Sequence, residues 1–131
     1  MIIFGASGDL TKRKLMPALY SLYREKRLTG EFSILGIGRT VYSDDNYRSY
    51  ILEELQLFVK SEEQDTALMA SFVSHLYYLP MDPAKEEGYP QLRQRLVELT
   101  NEVDPDNLLF YLATPPSLYG VVPLYLKAAG L

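Results

Sequence analysis

Apolar residues follow two alternating rhythms along the chain. Four short unbroken runs, Met1 to Phe4, Phe32 to Ile37, Leu76 to Leu79 and Leu108 to Ala113, have the length and the β-branched or aromatic content of buried strands. Between them lie longer stretches in which apolar residues recur every three or four positions. Leu15, Leu19, Leu22 and Tyr23 share one face of a helix predicted over Leu15 to Leu28. Tyr89, Leu92, Leu96, Leu99 and Val103 mark the clearest amphipathic helix, from Tyr89 to Val103.

Capping signals set the remaining boundaries. Ser43 is the expected cap of a helix running to about Val59, and Ser61, with Gln64 three residues on, the expected cap of a second. Pro17 cannot donate a backbone hydrogen bond, so a short turn over Leu10 to Lys14 and a fresh or kinked helix near Pro17 are predicted. Pro115 and Pro116 stop the fourth strand, and Leu118 to Ala129 reads as a helix ending at Gly130.

Strands that alternate with helices predict an open α/β fold with a mainly parallel sheet, because parallel neighbours need a crossover between them. A ligand crevice in such a sheet lies beyond the carboxyl ends of the strands. With 131 residues the chain fits one domain, 1–131. A strand would be expected after the last helix, so the domain reads as incomplete, with its last strands absent.

Composition narrows the function. The chain is 47% hydrophobic and 23% charged, with a formal net charge of −4, which gives no general attraction to nucleic acid. No apolar stretch approaches the roughly 20 residues of a membrane helix. Without cysteine there is neither a disulfide nor a thiol nucleophile nor cysteine-bound zinc. The absence of a secretory-type segment at the start leads to the expectation of a cytoplasmic protein. His75 has no second histidine with which to share a metal or a proton relay, and a structural role is expected of it. The acidic pairs Asp44 and Asp45, Glu53 and Glu54, and Glu62 and Glu63 read as solvated helix faces and starts, so no metal site and no paired-carboxylate chemistry are expected.

The chemistry concentrates at Gly5 to Leu15, GASGDLTKRKL, between the first strand and the first helix. Gly5 and Gly8 let the backbone approach a ligand, and free amides at a helix start face an anion. The full dinucleotide fingerprint needs a third glycine, and a purely structural turn fits the same residues. Arg39, in GIGRT at the end of the second strand, stands where an acidic residue would bind the ribose hydroxyls of NAD. Arginine there suits the 2′-phosphate of NADP, while a plain surface arginine fits the position too. Asp82 either borders the adenine pocket or builds a turn before Pro83. Tyr119, at the carboxyl edge of the fourth strand, either contacts the nicotinamide half or packs like others of the 11 tyrosines.

GASGDLTKRKL resembles the amino-terminal signature GxxGDLxxRKLxPALY of the glucose-6-phosphate 1-dehydrogenase family, and the match continues through Met16, Pro17, Ala18, Leu19 and Tyr20. GIGR at Gly36 to Arg39 and FYLATPPSLYG at Phe110 to Gly120 extend it in the family's order. The resemblance implies a Rossmann-like three-layer α/β/α domain. It also implies that Gly5, Ala6, Ser7, Gly8, Asp9, Leu10, Thr11 and Lys12 wrap the cofactor pyrophosphate, with Arg39 on the adenosine phosphate, Asp82 nearby and Tyr119 on the nicotinamide side. Lys14 matches a lysine associated with the sugar phosphate. Some family members use NAD as well as NADP, so Arg39 is compatible with both cofactors. The family's EKPFG-like and RIDHYLGKE-like segments, and its carboxyl-terminal α+β domain, have no counterpart here.

The implied function is therefore the cofactor half of an enzyme that oxidises glucose 6-phosphate to 6-phosphogluconolactone with NADP reduction. Catalysis is not expected of this chain alone, and the full-length protein is expected to be a homo-oligomer. The alternative is a stand-alone NADP-binding module with a regulatory or redox-sensing role. A short-chain dehydrogenase would need a Tyr-x-x-x-Lys pair, which this sequence lacks.

Overall fold

The computed structural model describes residues 1–28, 32–100 and 108–131. Four parallel strands, β1 (Ile2–Phe4), β2 (Ile34–Gly38), β3 (Leu76–Pro80) and β4 (Phe110–Leu112), form one sheet in the order β3-β2-β1-β4. The helices are α1 (Met16–Arg24), α2 (Asp44–Phe58), α3 (Thr66–Val73), α4 (Tyr89–Thr100) and α5 (Val121–Ala128). Strand order reverses between β1 and β4, so the carboxyl end of β1 faces a crevice.

Successive strand residues point to opposite faces, and each face has its own core. Ile3 and Ile34 pack with Leu19, Tyr20, Ile51 and Phe72, covered by α1, α2 and α3. Ile2, Phe4, Leu35 and Ile37 pack with Tyr89, Leu92, Leu96 and Val122, covered by α4 and α5. This double covering is the expected three-layer arrangement, and it explains why β1 and β2 are continuously apolar.

Several boundaries differ from the sequence expectation. Instead of a separate turn and helix, Thr11–Leu15 forms a wide π-type turn that runs directly into α1, where the Met16 amide donates to the Thr11 carbonyl. Pro17 has no amide to bond the carbonyl of Arg13, and the wider register accommodates that gap. At its other end α1 stops at Arg24 rather than Leu28, because Lys26 takes a left-handed φ of 61° and the Arg27 amide turns back to the Leu22 carbonyl.

Ser43 caps α2 as expected, its hydroxyl accepting from the Asn46 amide at 3.1 Å. The second cap is Asp65, not Ser61. The Asp65 carboxylate accepts from the Leu68 amide at 3.1 Å, while Ser61–Glu63 makes only a single 3₁₀ turn. Gln64 instead closes the preceding helix, donating to the carbonyls of Gln56 and Val59. The predicted end of α4 at Val103 lies outside the described residues. Beyond β4, Pro116–Leu118 forms a 3₁₀ turn before α5, and Gly130 takes a left-handed φ of 81° as the predicted stop.

Strand β3 lies at one edge of the sheet, and side chains close its outward backbone groups. Asp44, the first residue of α2, accepts from the Tyr78 amide at 2.8 Å and pairs through its other oxygen with Arg95 of α4. Arg48 donates to the Leu76 carbonyl at 2.7 Å and lies over the Tyr77 ring. Asp44 is thus a bridging carboxylate rather than a solvated helix start.

Candidate functional site

An open cleft of about 490 Å³ runs across the carboxyl ends of the strands. Gly5, Ser7 and Gly8 contribute the turn after β1, and Gly38, Arg39 and Thr40 the end of β2. Asp82, Pro83 and Ala84 close it beyond β3. On the far side stand Ala113, Thr114 and Pro115, followed by Ser117 and Leu118. The structure therefore brings Gly5, Ser7, Gly8, Arg39 and Asp82 together on one cleft.

Backbone geometry explains the first turn. Gly5 adopts a φ of 85°, and a Cβ there would stand 2.3 Å from the Ala113 carbonyl oxygen, so no side chain fits. The amides of Gly5 and Ala6 both donate to the Ile37 carbonyl, and that of Gly8 to Gly5. Among the described residues the Ser7 amide has no backbone acceptor, which leaves it for a ligand anion.

Ala6 and Thr11 serve the turn from within. Ala6 is fully buried, and its carbonyl accepts from the Tyr47 hydroxyl at 2.8 Å. Thr11 is likewise buried, with its hydroxyl donating to the Gly5 carbonyl at 2.9 Å. Both side chains face the protein, so any contact they make with a ligand is through the backbone. Asp9 and Leu10 are exposed, and Asp9 pairs with Arg13 at 2.8 Å. Lys12, Lys14 and Tyr119 lie outside the cleft lining, and Tyr119 is 49% exposed on the segment just after Leu118.

The site is electrostatically suited to an anion. Arg39 is exposed on the cleft and enters no ion pair among the described residues; Lys12 and Lys14, outside the lining, enter none there either. Two unscreened lysines beside a glycine turn and a free guanidinium across from it favour a ligand with separated negative charges. The Thr114 hydroxyl oxygen is buried at the cleft wall and has no hydrogen-bond partner among the described residues.

Asp82 builds the turn foreseen for an aspartate before proline, its carboxylate accepting from the Ala84 amide at 2.9 Å. That role leaves it on the cleft as well. His75 is structural: its ring stacks on Phe32 at 4.1 Å, and Nδ1 lies 2.9 Å from the Phe32 carbonyl. Gly38, Thr40, Thr114, Ser117 and the Pro83–Ala84 turn join the lining without having been named as site residues, although Gly38, Thr114 and Ser117 lie within the GIGR and FYLATPPSLYG segments and Thr40 follows Arg39 directly. No helix among the described residues is long and apolar enough to cross a membrane.

Comparison with known proteins agrees with this geometry. The family model for the glucose-6-phosphate dehydrogenase NAD binding domain matches residues 2–131. The glucose-6-phosphate 1-dehydrogenase of Aggregatibacter actinomycetemcomitans is 46% identical over all of this chain and 26% of its own length. That of Treponema pallidum is 35% identical over 96% of this chain and 25% of its own. A solved glucose-6-phosphate dehydrogenase in complex with its substrate glucose-6-phosphate superposes with a TM-score of 0.80 at 35% identity, over 98% of this chain and 26% of that one. The chain thus spans about a quarter of the length of these relatives, each of them a dehydrogenase, which does not favour a stand-alone module. With its glycine turn, parallel sheet and cleft all in place, the chain belongs to the glucose-6-phosphate dehydrogenase NAD-binding domain family.

Proposed function

We propose that this chain is the cofactor-binding part of a glucose-6-phosphate 1-dehydrogenase and that its cofactor is NADP, with NAD as a second, weaker ligand. The observation that carries the reading is the single cleft shared by the Gly5–Gly8 turn and the unpaired Arg39. The Ser7 amide and the start of the π-type turn hold the pyrophosphate, with Lys12 adding positive charge. Arg39 clamps the 2′-phosphate, Asp82 borders the adenine side, and Tyr119 meets the nicotinamide side.

Bound NADP supplies the hydride acceptor. The chain's own residues orient it and exclude water from one side. In the whole protein, glucose 6-phosphate gives up the C1 hydrogen as hydride and its hydroxyl proton to a base outside these 131 residues, yielding 6-phosphogluconolactone. Lys14 is directed toward the sugar phosphate. We assign the whole protein to the cytoplasm, as a homo-oligomer.

Titration calorimetry of the chain with NADP and NADPH tests the reading. Arg39→Ala is expected to weaken binding on the order of tenfold or more, the scale of a lost charge-assisted hydrogen-bond pair. Equal affinity of Arg39→Ala and wild type counts against the clamp, and absence of binding by wild type counts against the whole reading.

A further inference from the structure

The Tyr78 hydroxyl lies between the two halves of the proposed phosphate-binding apparatus, the first turn and the Arg39–Thr40 segment. Tyr78 is on β3 and only 4% exposed, with its ring stacked on Tyr47 at 4.7 Å and edge-on to Tyr42 at 5.4 Å. That packing fixes where the hydroxyl goes. It donates to the Thr40 carbonyl at 2.6 Å, at the residue after Arg39. The Ser7 hydroxyl of the first turn approaches the same point. A Cβ on Gly38 would meet the Tyr78 hydroxyl at 2.7 Å and Ser7 Oγ at 2.8 Å, so only glycine leaves room for the junction. Burial pushes the Tyr78 phenol's ionisation above its ordinary value, and the neighbouring Ser7 side chain opposes that push.

The two halves are not tethered equally. The first turn has two anchors of its own, Tyr47 on the Ala6 carbonyl and Thr11 on the Gly5 carbonyl. The Arg39–Thr40 segment is exposed, and among the described residues Tyr78 supplies its one side-chain hydrogen bond. The geometry points to Tyr78 as a positioning residue for cofactor choice: by holding the Thr40 carbonyl, it keeps Arg39 in register with the pyrophosphate turn and so favours a dinucleotide carrying a 2′-phosphate over one without it. This rests on the NADP reading above. Tyr78 touches no ligand and acts only through the backbone that bears Arg39.

The test compares NADP and NAD binding to the 131-residue chain by calorimetry for wild type, Tyr78→Phe and Tyr47→Phe, with thermal melting of each. Tyr78→Phe retains the ring stack and loses one hydrogen bond. It is expected to weaken NADP about fivefold, the equivalent of one hydrogen bond, while NAD changes less than about twofold. Tyr47→Phe, which loosens the shared turn, is expected to weaken both dinucleotides alike. Should Tyr78→Phe melt near the assay temperature, the same two titrations in the cold, where the variant is folded, are expected to show the same selective loss of NADP. Equal losses for the two dinucleotides in Tyr78→Phe, or none, overturn the inference while leaving the NADP site standing. Wild-type protein that binds neither dinucleotide overturns both.

Discussion

Thr114 combines two properties that normally exclude each other in a folded chain, a buried hydroxyl oxygen and no partner for it. Leaving such a group unsatisfied costs roughly 1 to 3 kcal/mol, whereas replacing it by a methyl of the same shape removes that penalty. Thr114→Val is therefore expected to stabilise the ligand-free chain by about 1 kcal/mol in urea denaturation and to weaken dinucleotide binding at the same time. Stabilisation by Thr114→Val with unchanged dinucleotide binding would argue against a ligand contact at Thr114. The same comparison explains which site residues could be read from the sequence. Gly5, Gly8 and Arg39 were singled out because glycine answers a local demand, a left-handed φ at Gly5 and a close approach at Gly8, and an arginine just after a strand suits an anion. Thr114, Thr40 and Tyr78 were not, because threonine and tyrosine are acceptable almost anywhere, and their roles arise only when β4, β2 and β3 are brought side by side.

Elements were legible wherever the signal was local. All four strands, the Ser43 cap and the amphipathic α4 follow from pattern alone. Failures came where two local signals competed within a few residues. Ser61 and Asp65 both precede stretches able to form a helix, and serine followed three residues later by glutamine looked like the better cap. Yet Gln64 is held by the carbonyls ending α2, which leaves Asp65 at the position where the next helix begins. Asp65→Ala should then cost about 1 kcal/mol, the usual worth of an N-cap, and Ser61→Ala close to nothing. Chemical denaturation of the two variants side by side decides the matter; a larger loss from Ser61→Ala would return the cap to its predicted place. At α1 the competition was between a helical pattern and Pro17, and the chain resolved it by widening one turn instead of breaking the helix.

The whole molecule is shaped by how tyrosines and sheet edges are distributed. Tyr42, Tyr47, Tyr50 and Tyr78 form one packed group, and burial is the main cause that raises the ionisation of Tyr47 well above the ordinary phenol and that of Tyr50 to about 12. Tyr89, on the other face of the sheet, is likewise raised to about 12, chiefly by burial. In the unfolded chain these phenols ionise near the ordinary tyrosine value of 10.0, so above that pH the unfolded state has released protons that the native state still holds. Stability should be level up to about pH 10 and fall between about pH 10 and pH 12, with phenolate absorbance rising in step with unfolding. Titration of all tyrosines near 10 without loss of structure would contradict this. The two sheet edges differ as sharply as the two faces agree. Asp44 and Arg48 occupy the outward amide of Tyr78 and carbonyl of Leu76 on β3, whereas among the described residues β4 has no such cover beyond β1, and Tyr111 within it and Leu109 just before it are 38% and 62% exposed. An uncovered edge with apolar neighbours is a template for another strand. The 131-residue chain on its own is accordingly expected to self-associate with rising concentration through β4. Leu109→Lys should suppress that association without altering the fold, because a lysine at an edge resists pairing. In sedimentation velocity, a wild-type chain that stays monomeric at high concentration, or a lysine variant that associates equally well, would remove β4 as the site.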